Sequence, residues 1–420
     1  MMMMHAAVGL WFLSAVIYVG RGHHYFVHGN VKTVQDAVVD DRTDSVSLVN
    51  EANQGFSFRL YRKLAADADS QGENIIFCPF CVSNALAALS VGAQGETHCQ
   101  LFSGLGFNNP LVQKEVDQAF QMFLQRASNQ SQEDSSEGTA VFMDDRFKPK
   151  PEFLQTLKQS YFTDGFNVDF SQTTESADAI NQYVEEKMTN WKIDQLVEDL
   201  DPNTVMYLIS YIYYKGKWAT QFDPELTEQY DFNVDENTKV PVFMMNLEDS
   251  FYTFHDDKLK TTVLQLPLNS SYSMLLMLPE VMTTLENATS LNHVTKWLKA
   301  MRPRRYNLYI PKFSIKASYN LNNVLSEMGM MGMFHGGANL RGISERQGLA
   351  VSNVSHRARL DVDETGAEAS AVTGLRIGLT AIRFLVPVPV LKFNCPFMVI
   401  IIERNTKEIL FLGKIINPTI

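Results

Sequence analysis

Apolar residues recur along this chain in two rhythms, and the rhythms are segregated. Asn50 to Ala66, NEANQGFSFRLYRKLAA, spaces its apolar positions at helical intervals and predicts an amphipathic helix. The stretch ENIIFCPFCVSNALAALSVGA predicts a short strand and then a helix opening near Pro79. That helix is so rich in small apolar residues that it must be buried nearly all round. GTAVFMDD reads as a strand, while PEFLQTLKQSYF and SADAINQYVEEKMTNWKIDQLV read as helices. From Thr204 the rhythm changes: TVMYLISYIYYKGKW is a long apolar run suited to a central strand. VPVFMM, TTVLQLPL, YSMLLMLP and YNLYIPKFSI follow as strands, interrupted by the helix SLNHVTKWLKAM, and FMVIIIERN and EILFLGKII close the chain. Helices dominate the first half and strands the second, with no Gly/Ser linker and no internal repeat. One mixed α+β domain with large sheets is expected.

One stretch raises a separate question. In ETGAEASAVTGLRIGLTA, Glu364 to Ala381, the residues Ala367, Ala369, Ala371, Thr373, Leu375, Ile377 and Leu379 fall on one side of an extended chain. Glu368, Ser370, Val372, Gly374, Arg376, Gly378 and Thr380 fall on the other. The first proline after Ala367 is Pro387, so every backbone N–H is free to enter a sheet. The segment reads as a strand in waiting. A plain small-residue linker is the alternative, but a linker has no reason to keep one face free of charge.

Composition narrows the function classes. With 420 residues, 45% of them hydrophobic, the chain can build a large core. A net charge of −11 argues against nucleic acid or an anionic membrane as the main partner. The apolar start, residues 1–20, reads as a signal peptide, with a buried amino-terminal helix as the alternative. Residues 21–49 read as a polar, disordered leader rather than a metal site built on His23, His24 and His28. No later run approaches the ~18 apolar residues of a membrane span.

Cys78, Cys81, Cys99 and Cys395 are too few for a disulfide scaffold. Cys78 and Cys81 form a Cys-x-x-Cys, yet no second pair completes a zinc site, so buried thiols are expected and no metal, with redox or zinc chemistry as the alternative. Sequons at Asn129, Asn269, Asn287 and Asn353 predict glycosylation if the chain is secreted. No nucleophile elbow, phosphate-binding loop or His-Glu-x-x-His occurs, which disfavours an enzyme. The Met-rich SEMGMMGMFHGGANL reads as core packing, with a soft binding surface as the alternative.

Taken in order, NIIFCPFCVSNALAALSVGAQGET, YIYYKGKW, VPVFMM, IPKFSI, GANLRGI, VSHRARLDVDETGAEASAV and FNCPF with ILFLGKIINPT carry a resemblance across residues 50–420. Together they resemble the serpin family, in particular the antitrypsin and antichymotrypsin group, and the C-terminus is similar to that of thyroxine-binding globulin. The resemblance implies three β-sheets with about nine helices and an exposed reactive loop. It implies an inhibitor without catalytic residues or cofactor, working as a monomer in the extracellular space. A serine protease cuts the loop, whose first half then inserts into the main sheet.

The implied hinge is Gly366, Ala367, Glu368, Ala369, Ser370 and Ala371. Fourteen residues beyond Gly366 lies the implied scissile bond Thr380–Ala381, with Arg383 and Leu385 as alternatives. A threonine there points to an elastase-like target. Insertion would add on the order of ten ladder hydrogen bonds at ~0.5–1.5 kcal/mol net each. It would also bury apolar side chains at ~1.5–3 kcal/mol for each large one. That gain is comparable to the ~5–15 kcal/mol stability of a domain, so the uncut form is expected to be held kinetically.

The chain also departs from the family pattern. Cys78 and Cys81 stand where the family carries serines, and Ser210 where a central-strand asparagine is usual. His356 matches the histidine these groups bond, and Trp218 the tryptophan at the top of the sheet. Thiols bond more weakly than hydroxyls, so a looser latch is expected. A Cys81–His356 catalytic pair is the sharper alternative. The likeness to a hormone carrier brings a second function: Arg404 matches a ligand-contacting arginine and Lys407 stands at a second arginine's place. A small hydrophobic hormone is then the partner. The carrier's asparagine after Trp297 is Leu298 here, and Arg404 and Lys407 can equally be charged turn residues.

Overall fold

The helical rhythm seen from Asn50 to Ala66 continues upstream, so that helix α1 runs Val34–Ala66. The leader expected to be disordered over residues 21–49 is therefore helical from Val34. The structure, a computed structural model, describes residues 34–67, 70, 72–108, 110–130, 134–187, 197, 200–268, 271–365 and 387–420. The chain divides into a short unit, Met1–Asp41, and a main unit, Arg42–Ile420, which holds the sheets and the core.

After α1 come β1 (Ile75–Phe77), α2 (Pro79–Ser90), α3 (Gly95–Leu105) and α4 (Gln113–Gln130). Next are β2 (Asp134–Asp144), α5 (Pro151–Ser160), β3 (Asp164–Val168), α6 (Thr173–Lys187) and β4 (Met206–Lys215). Four strands follow: β5 (Glu228–Asn233), β6 (Lys239–Asp256), β7 (Thr261–Pro267) and β8 (Tyr272–Pro279). The chain continues through α7 (Met282–Ala288), α8 (Leu291–Ala300), β9 (Arg302–Pro311), β10 (Phe313–Asn320) and α9 (Asn322–Leu325). It closes on β11 (Asn353–Val362), β12 (Val390–Lys392), β13 (Phe397–Glu403) and β14 (Ile409–Ile415).

Among the described residues the strands form two hydrogen-bonded sheets. One has five strands in the order β10-β11-β4-β2-β3, and the other is built on β1-β14-β13-β8-β7-β6-β9-β12 with β5 added beside β6. The long β6 pairs with β5, then with β9, then with β7 as it bends, so two of the three expected sheets are continuous through it. The run YNLYIPKFSI, which reads as a single strand, is divided between the sheets at Lys312: β9 lies in the larger and β10 in the smaller.

Helix α2 explains its own composition. It packs between the sheets, against β14 on one side and β4 and β2 on the other, and every residue from Pro79 to Ser90 is buried. Small side chains such as Ala85, Ala87 and Ala88 are what let it fit between two sheets. Strands β13 and β14 are buried along their whole lengths, as their unbroken apolar runs require. In the Met-rich segment Met330 and Met333 are core residues, while Met331 is exposed.

The tightest approach in the larger sheet is where β1 meets β14. A Cβ on Gly413 would lie 1.9 Å from the carbonyl oxygen of Ile75, which is backbone and cannot step aside. We therefore expect Gly413→Ala to destabilise the protein by roughly 1–3 kcal/mol or more, read as a lower urea midpoint. An unchanged midpoint would show that β1 is not held in this register.

Candidate functional site: the seam of the five-stranded sheet

Strands β11 and β4 lie side by side in parallel, in register from Asn353↔Tyr207 to Asp361↔Lys215. Their outer neighbours are antiparallel: β10 pairs β11 and β2 pairs β4 in that sense. The central seam is thus a parallel contact, the slightly weaker kind, flanked by stronger ones.

A row of side chains crosses the sheet at mid-height, because Tyr319, His356, Ser210 and Thr139 are register partners on β10, β11, β4 and β2. The His356 imidazole is fully buried. Its Nε2 lies 2.9 Å from the backbone N–H of Cys78, at the start of α2, and accepts from it. The remaining ring proton therefore sits on Nδ1, which donates across the seam to Ser210 Oγ at 2.8 Å. Tyr319 stacks beside the imidazole and its hydroxyl exchanges hydrogen bonds with the backbone of Ile76. Further along the row, Asn84 on α2 donates to Thr139 Oγ1 at 3.3 Å and to the Tyr161 carbonyl at 3.1 Å. The row ties both halves of the sheet to the helix beneath it. Burial pushes the His356 pKa down to about 3, so the ring is neutral at physiological pH.

The two cysteines differ from the sequence expectation. Cys78 and Cys81 are not thiols but a disulfide, with Cα atoms 5.3 Å apart. What His356 accepts is the backbone N–H of Cys78, not a side chain, so the latch does not rest on weak thiol bonds. The Cys81–His356 catalytic pair fails for the same reason: the sulfur is bonded and the imidazole engaged elsewhere. The signal was in the sequence, since two cysteines three apart at a helix start lie within bridging distance. Cys99 and Cys395 carry free thiols, and burial raises the pKa of Cys395.

At the upper end of the seam a second cluster holds the chain where it leaves β11. Trp218, nearly fully buried, donates its backbone N–H to the Thr365 carbonyl at 3.1 Å and its indole N–H to the Asp363 carbonyl at 2.7 Å. Glu364 accepts from Thr227 Oγ1 at 2.9 Å and pairs with Lys312 Nζ at 2.8 Å, while Asp363 pairs with Lys215 Nζ at 2.8 Å. Burial works against the Glu364 carboxylate, yet the bonds from Lys312 and Thr227 hold its pKa below the usual value. Sequence reasoning found Trp218 but missed these ion pairs, whose partners come from distant segments.

Other candidates fall as follows. The hinge Gly366, Ala367, Glu368, Ala369, Ser370 and Ala371 lies outside the described residues, as do Thr380, Ala381, Arg383 and Leu385. His23, His24, His28 and Asn269 also lie outside them, as does the Asn129 side chain. Asn287 is exposed on α7 and open to a glycan. Asn353 opens β11, partly buried, with its Oδ1 buried and unpartnered. Arg404 and Lys407 sit in the turn between β13 and β14. There Lys407 folds its ammonium onto the Arg404 carbonyl and adopts φ 63°. Gln54 on α1 holds the Lys407 carbonyl at 2.8 Å. Leu298 is partly buried against the core.

Two predictions follow from the charges. Neutral His356 contributes stability that is fully present above its unfolded pKa of 6.5 and is lost as pH falls toward about 3. The melting temperature should therefore fall on acidification below pH 6.5, and His356→Asn should flatten that limb; identical limbs would remove His356 as the cause. At the upper end, Lys312→Glu should set two carboxylates together and lower the melting temperature, and adding Glu364→Lys should restore it. A double variant that melts as low as the single one would contradict the pairing.

Comparison with known proteins agrees with this architecture. The family model described as Serpin (serine protease inhibitor) matches residues 51–418. Bovine Serpin A3-3 is 38% identical over 394 residues, covering 92% of this chain and 93% of its own. Human thyroxine-binding globulin complexed with thyroxine superposes with a TM-score of 0.82 at 35% identity, covering 90% of this chain and 100% of that one. Mouse protein-Z dependent protease inhibitor gives a TM-score of 0.81 at 28% identity, with 90% and 100% coverage. The chain belongs to the serpin family.

Proposed function

We propose that the protein is a secreted inhibitor of a serine protease and acts as a suicide substrate. Cleavage in the segment after Thr365 frees its first half to enter the seam between β4 and β11. The observation that carries this reading is the parallel contact itself. A strand turning back from Thr365 would run antiparallel to β11, and because β4 is parallel to β11 it would be antiparallel to both. One insertion would replace the single parallel contact at the seam with two antiparallel ones. The sequence of that segment meets the requirement: no proline, and alternate positions free of charge from Ala367 to Leu379.

In this reading Gly366 to Ala371 act as the hinge and Thr380–Ala381 is the bond cut, by an elastase-like enzyme. Arg383–Phe384 and Leu385–Val386 are the other bonds available. Secretion fits a chain with an exposed sequon at Asn287 and, among its described helices, none long and apolar enough to cross a membrane.

A hormone carrier is the second reading, supported by the 35% identity to the thyroxine-bound globulin. Against it, Lys407 turns its ammonium into its own turn, and Leu298 offers no polar contact. One experiment separates the two. Purified protein mixed with elastase, chymotrypsin or trypsin should give a complex that survives SDS, and the mass of the released C-terminal peptide identifies the bond. If all three enzymes merely nick the chain, while labelled thyroxine or cortisol binds and is displaced, the carrier reading replaces the inhibitor.

A further inference from the structure

A cavity of about 330 Å³ opens beside the latch, between α2, α4 and β2, with Phe80, Cys81, Asn84, Leu124, Glu137 and Tyr214 among its walls. Three features meet in it. The Cys81 side of the disulfide faces the cavity, while Cys78 is fully buried behind it. Glu137 Oε2 lies 3.9 Å from Cys81 Sγ, a contact and not a hydrogen bond, because the bonded sulfur carries no proton. Asn84 is 4% exposed and lines the same space, with its Oδ1 buried and without a partner. A disulfide serving only as a staple needs neither a cavity, nor a carboxylate, nor an unfilled acceptor.

We propose that the Cys78–Cys81 disulfide is a thiol–disulfide exchange site, opened by a low-molecular-weight aminothiol or thiol peptide that enters this cavity and forms a mixed disulfide on Cys81. The incoming R–SH gives its proton to the Glu137 carboxylate, and the thiolate attacks Cys81 Sγ. The Cys78–Cys81 bond breaks and its electron pair leaves on Cys78 Sγ. That atom is the N-cap of α2 and accepts the Cys81 N–H at 3.0 Å, a place where backbone dipoles favour negative charge. A better-stabilised leaving thiolate departs faster.

The proton then passes to Cys78, giving R–S–S–Cys81 and Cys78–SH; a second R–SH releases R–S–S–R and Cys81–SH. Glu137 keeps an exposed face, yet the protein atoms packed around its carboxyl push it up to about 7, which lets it take a proton near neutrality. Charged groups nearby include Glu408, itself raised to about 8 by burial and then by Glu137 and Glu403, and Arg126, which acts on Glu408 in the opposite sense.

The site is coupled to the latch through Cys78, whose N–H is the donor to His356. The exchange itself rests on the cavity and not on the inhibitory reading, so either can fail without the other. The test uses folded full-length protein carrying Cys99→Ser and Cys395→Ser, incubated with reduced glutathione and then alkylated. Mass spectrometry should find glutathione on Cys81 and the alkyl group on Cys78. Glu137→Gln should slow the reaction on the order of tenfold or more at pH 7. Leu124→Trp, which fills the cavity and leaves the disulfide intact, should abolish it. Reaction only after denaturation, an adduct on Cys78 instead, or full reactivity in Leu124→Trp would overturn the proposal.

Discussion

The hydrogen bond from His356 Nδ1 to Ser210 Oγ crosses the β4–β11 seam while the same ring is bonded to the helix below, and opening the sheet must break it. It exists because burial keeps the imidazole neutral, and because the Cys78 N–H fixes which ring nitrogen carries the proton. Its net contribution is on the order of 0.5–1.5 kcal/mol, small beside the ~5–15 kcal/mol of a whole domain. Such a bond cannot set the final balance between an open and a closed seam. What it can set is the rate, since its partners lose their bonds before an incoming strand supplies new ones.

The same logic extends to both ends of the row. Above it, Trp218, Lys312 and Lys215 hold the chain at Asp363–Thr365 with bonds that an inserting strand would have to reorganise. Below it, α2 is wedged between two sheets, so its first turn cannot shift without disturbing the core. The Cys78–Cys81 bond stiffens that turn and takes the place of the hydroxyl network expected from the family pattern. Membership in the serpin family accounts for the scaffold. The disulfide beneath its sheet adds a covalent tie at the start of α2.

Much of this was legible in the sequence because it is periodic. The all-buried α2 announced itself by Ala85, Ala87 and Ala88, and β4, β13 and β14 by unbroken apolar runs. What periodicity does not carry is pairing at a distance. Nothing local in Lys312 points to Glu364, and the run that divides at Lys312 between two sheets reads as one strand because both halves alternate alike. The disulfide escapes a reading that sets redox or zinc chemistry against buried thiols, because bridging distance at a helix start is the stronger signal. The upstream extension of α1 to Val34 went unseen because the polar run Asp40–Ser45 interrupts its apolar positions.

The central claim is that the seam is built to admit the segment after Thr365 once that segment is cut. Calorimetry of the intact and the loop-cleaved protein tests it most directly. Cleavage should raise the melting temperature sharply, as a new strand joins β4 and β11. A cleaved protein that melts with the intact one, its severed segment still open to proteases, would contradict it.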